Sequence, residues 1–301
     1  MYYALIFLCA IIFGGCFGLN DAYRKNAGSG FYASMWFSLI GSAAGLVILM
    51  LINGFSFAIT PFVLLISIIS VINSFLFTYC SFKALGSINL SVYSLFSMLG
   101  GMLLPFLQGL IFFNEGFTVA KVVCLAFIFA ALVLTVDKNQ TDKNNKIYYA
   151  AVFVFNGLSG VISKIFASAP TELKTTAKGI EVSSAGFSMV VSFCSVIVSA
   201  VIILLLHKKH GKQFVLNKAT VGISAAAGSL NRIANWILVL SLANGVPASM
   251  QYPIITGGTM IVSTVMCFFG KNKPKTKEIY SVVLAFLGLL AIFLIPLILE
   301  N

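Results

Sequence analysis

The chain has 301 residues, of which 59% are hydrophobic and 9% charged, with a mean hydropathy of +1.03. That composition excludes a soluble globule, which needs more polar surface than this, and marks an integral membrane protein. A formal net charge of +11 would suggest nucleic acid in a soluble protein. Here the lysines are scattered over short loops between apolar segments, so they are read as topology signals and lipid-headgroup contacts, and no nucleic-acid partner is expected.

Ten apolar segments, each long enough to cross a hydrocarbon core of about 30 Å, run at 3–20, 31–53, 59–82, 88–113, 118–136, 147–166, 184–206, 219–243, 247–269 and 279–299. They are continuous, nearly twice the length of a membrane strand and without in/out alternation, so the fold class is all-α and not a barrel. The first segment, opening MYYALIF, lacks a basic leading region and an A-x-A-like site, so it reads as a helix and not as a signal peptide. All six cysteines fall inside apolar segments, where a free thiol behaves as a small hydrophobe, and their even number is no evidence for disulfides.

The two parts of the chain echo one another. A shift of 146 places YYAL at 2–5 over YYAA at 148–151 and Gly14 over Gly160, and a shift of 157 places Leu85 over Leu242, Gly100-Gly101 over Gly257-Gly258 and Phe112 over Phe269. The polar insertion ASAPTELKTTAKGIE at 167–181 absorbs the difference between the shifts. The expected organisation is a five-span half at 1–136, a polar linker at 137–146 (DKNQTDKNNK at 137–146) and a second five-span half at 147–301. An odd number of spans per half sends the second half into the membrane from the opposite side. That is an inverted repeat, the physical basis of alternating access to a central site.

The stretches ALGSINLSVYSLFSMLGGMLLPFLQGLIFFNEGFTVAKVVCLAFIFAALVL (84–134) and SLANGVPASMQYPIITGGTMIVSTVMCFFGKNKPKTKEIYSVVLAFLGLLAIF (241–293) resemble the two repeat-ends of the drug/metabolite transporter superfamily, EamA-type branch. The resemblance covers essentially the whole chain in segment number and spacing. It implies a transporter of small metabolites such as amino acids, nucleotide-sugars or organic acids. The family often carries an acid after the fourth span; Glu115 matches it, whereas the second half has Asn272 there. Small multidrug members use a glutamate within the first helix to bind cations, and YYALIFLCAIIFGGCFGLN has none.

Loops after the odd-numbered spans carry fourteen positive residues, among them Arg24, Lys25 and Lys83, against four on the other side (Lys121, Lys164, Lys174 and Lys178). By the positive-inside rule both termini face out of the cytoplasm. The expected location is the cytoplasmic membrane, with a monomer and a homodimer equally open.

Enzymatic chemistry finds no support in the motifs. The only histidines, His207 and His210, share one lysine-rich loop, no metal or nucleophile constellation is formed, and no cofactor is expected. All eight acids lie at segment ends or in loops, which disfavours a membrane-embedded proton relay, with Asp21 the one escape route.

Arg232, one of two arginines, falls near the middle of the eighth segment. A guanidinium at that depth costs at least about 2.5–3.5 kcal/mol if it faces lipid. Its neighbours Asn231, Asn235 and Trp236 place polar groups on adjacent faces, and the matching position of the third segment is Phe75. Two readings stand: a forked anchor for a carboxylate or phosphate of the substrate, or a structural arginine satisfied by carbonyls and amides of neighbouring helices.

Further polar and aromatic residues within spans complete the candidate substrate site: Asn20, Trp36, Asn73, Tyr79, Tyr93, Ser97, Asn156, Gln251, Tyr252 and Thr256. Lys164 and Lys83 lie near span ends, where they can snorkel or line a cavity. Tyr93, Ser97 and Gly101 share one face of the fourth segment, and Tyr252 and Thr256, with Thr259, one face of the ninth. Gly14/Gly18 and Gly41/Gly45 form G-x-x-x-G pairs, read as sites of close packing. The Gly pairs at 100–101 and 257–258 are expected to interrupt the fourth and ninth helices, as packing sites or hinges, with Pro253 adding a kink.

The leading expectation is a secondary transporter whose partners are a small-molecule substrate, bearing an anionic group or zwitterionic, and membrane lipid. Alternatives are a cationic-compound exporter dependent on Asp21 and a non-transporting sensor or assembly subunit on the same fold.

Overall fold

A computed structural model describes residues 2–88, 90–113, 118–135, 146–210, 216–269 and 276–299. Glu115, Asn272 and residues 137–145 of the expected linker lie outside the described residues. The elements are α1 (Tyr2–Ala27), α2 (Phe31–Ile52), α3 (Pro61–Leu85), α4 (Leu90–Phe112), α5 (Val119–Thr135), α6 (Lys146–Ser168), a one-turn α7 (Thr171–Lys174), α8 (Ser184–His210), α9 (Lys218–Ala243), α10 (Ala248–Phe269) and α11 (Thr276–Leu299). Among the described residues there is no strand, only an isolated bridge between Thr175 and Glu181. Each expected segment falls on a long helix, and α7 occupies the 167–181 insertion, so the eighth and ninth segments are α9 and α10. Six helices (α1, α2, α3, α6, α8 and α9) are long and apolar enough to cross a membrane, which makes the chain a multi-pass, all-helical membrane protein.

Helix ends follow local chemistry. Thr60 caps α3, its Oγ1 accepting from the Val63 N–H, with Pro61 at the first helical position where its missing donor costs nothing. Asn217 and Thr220 form a reciprocal capping box at the start of α9. Gly28 (φ +84°) and Gly245 (φ +85°) supply the left-handed backbone that lets α1 turn into α2 and α9 into α10. α1 runs past its apolar segment through Asp21–Ala27 because nothing in that polar stretch breaks a helix.

Polarity is distributed as a membrane solvent demands. Val47, Leu65, Phe129, Val201, Leu204 and Leu205 stand exposed on outward faces, while Ser42, Asn73, Ser195, Gln251 and Thr256 are buried. Lipid accepts the first set, and the second finds partners only inside the bundle.

α1 packs on α9 and α10, and α6 on α3 and α4; α2 packs on α8 and α9, and α8 on α2 and α3; α4 meets α10 and α5 meets α11. Exchanging α1–α5 for α6 and α8–α11 maps α1·α9, α1·α10 and α2·α9 onto α3·α6, α4·α6 and α3·α8, and maps α2·α8, α4·α10 and α5·α11 onto themselves. The pairings place α5 and α11 together, and the other eight long helices close around a common interior.

The expected interruptions of α4 and α10 are absent. Both helices are continuous through their glycine pairs, α4 also through Pro105 and α10 through Pro253. The glycines mark close approach instead. Gly100 lies directly against the Phe153 backbone of α6, and a Cβ on Gly258 would stand 2.7 Å from the Cβ of Ala10. The α1 pair is used in the same way, since Gly14 and Gly18 receive Val262 and Met266 of α10.

Candidate functional site

The interior holds a cavity of about 180 Å³, lined by α1, α2, α3 and α4 and by α6, α8, α9 and α10. Eight helices thus share it, four from α1–α5 and four from α6–α11. Its wall on α9 is built on the close crossing with α2. A Cβ on Gly41 would stand 2.9 Å from the Gly228 Cα and 3.0 Å from the Ser224 carbonyl. One turn further along, a Cβ on Gly45 would stand 2.6 Å from Cγ of Arg232. The Gly41/Gly45 pair therefore forms the groove that seats the aliphatic stem of Arg232. The packing motif and the isolated cation are one feature.

From that groove the guanidinium reaches the cavity wall. Nη2 of Arg232 donates to Oγ of Ser42 at 2.9 Å, and the Ser42 and Ser195 hydroxyls are bonded to each other at 2.9 Å. Ser42 and Ser195 each stand eleven residues after the first residue of their helices, α2 and α8. This chain ties α9 to one helix of each half. Among the described residues Arg232 makes no other hydrogen bond and no ion pair, so most of its five N–H donors are uncommitted. On the adjacent turn Asn235 donates its amide to both the backbone O (2.8 Å) and Oδ1 (2.9 Å) of Asn231.

Seven of the expected site residues line the cavity: Asn20, Asn156, Asn231, Arg232, Asn235, Tyr252 and Thr256. Besides Arg232, three of these are already engaged across helix boundaries. Asn156 donates to the Ser97 carbonyl (2.6 Å), Tyr252 to that of Gly160 (2.9 Å) and Thr256 to that of Met98 (3.2 Å).

The other eight stand elsewhere. Tyr93 is buried, donating to Ser81 Oγ at 2.8 Å with Phe17 edge-on. Ser97 is buried beneath Asn156. Gln251 donates to the Leu238 carbonyl at 3.0 Å. Asn73 lies one layer behind the wall, donating to Phe155 O and to Oγ of Ser159, which lines it. Tyr79 packs edge-on to Phe31 and Tyr148 with Lys83 Nζ over its ring. Trp36 meets Tyr32 edge-on, and Trp236 packs against the main apolar core. Lys164 is buried with Nζ 5.0 Å from the Phe113 ring centre. Asp21 pairs with Arg24 at 2.9 Å in the last turns of α1 and is not among the lining residues.

What sequence reasoning missed is the hydroxyl lining: Ser38 and Ser42 on α2, Ser70, Ser74 and Thr78 on α3, and Ser159 and Ser163 on α6. The signal was their four-residue spacing, which stacks them on one helix face. A hydroxyl can bond the carbonyl one turn back on its own helix, so it stands in an apolar run without the cost that flags a charge.

No family model matches the chain. No curated protein matches it either. One solved structure, described as "Crystal structure of protein", aligns over 97% of this chain and 97% of its own with a TM-score of 0.66 at 17% identity; at that identity the likeness shows a shared fold.

Proposed function

We propose that the chain is a secondary transporter of the cytoplasmic membrane: ten spans arranged as two inverted five-helix repeats, 1–136 and 147–301, moving a small organic metabolite with an anionic group by alternating access. Amino acids and other zwitterions fall within this class. The assignment agrees with the EamA-type resemblance of the repeat-ends. The observation that carries it is a cavity of mixed apolar and hydrogen-bonding lining, walled by four helices from each half, with an uncompensated guanidinium bridging them through Ser42 and Ser195.

The physical reasoning runs from cost to use. A desolvated cation without a counter-charge is expensive, and one hydrogen bond to a serine offsets little of it. A bound carboxylate supplies both charge and acceptors in the forked geometry a guanidinium prefers. The exchange-symmetric helix pairings give two equivalent ways for the halves to tilt about such a site. Asp21, ion-paired at the end of α1, offers no cation site at the cavity, so a cationic cargo finds less support.

Counterflow in proteoliposomes with pools of radiolabelled organic anions and amino acids tests the proposal. Uptake is expected in wild type and lost in Arg232→Ala, with Arg232→Lys retaining a fraction. Uptake unaffected by either variant removes the anchor. A C-terminal phosphatase fusion should be active and a fluorescent-protein fusion dark if, as the loop charge bias predicts, both termini face outside; cytoplasmic fluorescence reverses the orientation.

A further inference from the structure

Resting on the transport reading above, we infer that the solute is a polyhydroxylated organic monoanion of the sugar-acid type, its carboxylate at Arg232 and its hydroxyls along α6. The inference comes from which hydrogen-bonding atoms the wall has left to offer. Around Arg232 these are donors: the remaining guanidinium N–H groups, the amide N–H groups of Asn231, and one hydroxyl proton of the Ser42–Ser195 pair. Two hydroxyls bonded to each other use one proton, and the other is left over whichever way the bond points.

Along α6 and at Thr78 and Asn235 the wall presents acceptors. Ser159 donates to the Phe155 carbonyl (3.1 Å), Ser163 to that of Ser159 (2.9 Å) and Thr78 to that of Ser74 (2.8 Å). Each hydroxyl proton is thereby spent on the helix; the oxygens of Ser163 and Thr78 keep their lone pairs for a ligand, and that of Ser159, which also accepts from Asn73, keeps one. Both amide hydrogens of Asn235 are spent on Asn231, which leaves its Oδ1. Asn156 spends an amide hydrogen on Ser97 and keeps Oδ1. A ligand that satisfies this cavity brings an anion at one end and several hydrogen-bond donors along its body.

An ammonium also brings donors, but its N–H groups radiate from one atom, and acceptors must lie within about 3 Å of it. Asn156, Ser159 and Ser163 share one face of α6 over seven residues, about 10 Å at 1.5 Å per residue. A row of that length fits a chain of hydroxyls better than a single point of charge. Its acceptors are neutral, so an ammonium there would be desolvated without a counter-charge. The rings of Phe13, Phe17 and Phe75, which also line the cavity, flank the carbon skeleton. One guanidinium balances one carboxylate, hence a monoanion.

The test uses the full-length protein in nanodiscs with radiolabelled gluconate as probe. Its competitors are hexanoate (the carboxylate without hydroxyls), sorbitol (the hydroxyls without charge) and serine (a zwitterion). Gluconate is expected to bind at least about tenfold more tightly than each of the three, the scale of a few buried hydrogen bonds. Ser163→Ala should lower gluconate affinity about threefold to tenfold and narrow its margin over hexanoate. Ser163→Thr, which keeps the hydroxyl, should restore both, separating lost recognition from lost folding. Hexanoate or serine binding as tightly as gluconate overturns the inference, and so does Ser163→Ala weakening gluconate and hexanoate equally. Counterflow in liposomes separates the two levels. Hexanoate or serine moving while gluconate neither binds nor moves sinks this inference and leaves transport standing, whereas gluconate binding without any solute moving sinks the transport reading and leaves the site chemistry.

Discussion

α3 and α9 trade places in the exchange that relates the helix pairings, and at a spacing of 157 their residues face one cavity with different chemistry. Ser70 corresponds to Ala227, Ser74 to Asn231, Phe75 to Arg232 and Thr78 to Asn235, and all eight line it. Val71 of α3 is buried in the apolar core behind the wall, whereas its counterpart Gly228 lines the cavity and lies against the Gly41 backbone. The α3 wall is neutral, with the Phe75 ring and three hydroxyls, of which that of Thr78 is bonded back to the Ser74 carbonyl. The α9 wall brings a cation, and it can do so because glycines on both helices let α2 approach closely enough to shield the arginine stem. A shared scaffold can thus hold an asymmetric site, with the asymmetry confined to a few side chains.

Making one wall resemble the other breaks the comparison in a graded way. Gly228→Val places the α3 residue in the α9 crossing, where a Cβ overlaps the Gly41 backbone. The helices must part, and a loss of about 1–3 kcal/mol or more is expected, read as a lower melting temperature or loss of the monodisperse peak in size-exclusion chromatography. Normal behaviour on both would mean that the crossing relaxes freely.

Arg232→Phe makes the two walls alike at the anchor. Affinity for the proposed anionic solute should fall about tenfold to a hundredfold, the range for a hydrogen bond to a charged group, with the melting temperature held or raised as the desolvated charge is removed. Adding Phe75→Arg moves the cation to the opposite wall. If the repeats are equivalent, the double variant recovers part of the lost counterflow; recovery no better than in Arg232→Phe alone would show that position 75 does not reach the bound anion.

Smaller changes sharpen the comparison. Ser42→Ala removes the hydrogen bond that aims the guanidinium and should weaken binding about tenfold, visible in the concentration dependence of counterflow. Asn235→Thr, again an α3 residue placed on α9, should cost only about 0.6 kcal/mol, the average for a polar contact between membrane helices. A larger loss in solute affinity than in thermal stability would assign Asn235 to the ligand and not to the helix.

Much of the architecture was legible in the order of residues. Long apolar runs dictate helices because a bilayer leaves a backbone no other way to satisfy its hydrogen bonds, and the runs fall where the long helices are. Arg232 announced itself by cost, and its turn of α9, with Asn231 and Asn235, does line the cavity. Tyr93 and Gln251 drew notice by the same polarity argument and proved to be bonded inside the bundle. A polar side chain in a membrane helix must find some partner, and its type does not say whether that partner is protein or ligand.

The sequence by itself determined the all-helical membrane class, the segment boundaries and the register that sets Arg232 against Phe75, because hydropathy and spacing are properties of the chain read along its length. Only the tertiary structure decided that Gly41, Gly45 and Arg232 form one feature, that Ser42, 190 residues away, is the arginine's partner, and that back-bonded serines supply the acceptors of the wall. These depend on which helix faces meet, and helices of similar apolarity carry no mark of their partner until small residues let two backbones close together and leave particular atoms facing the same space.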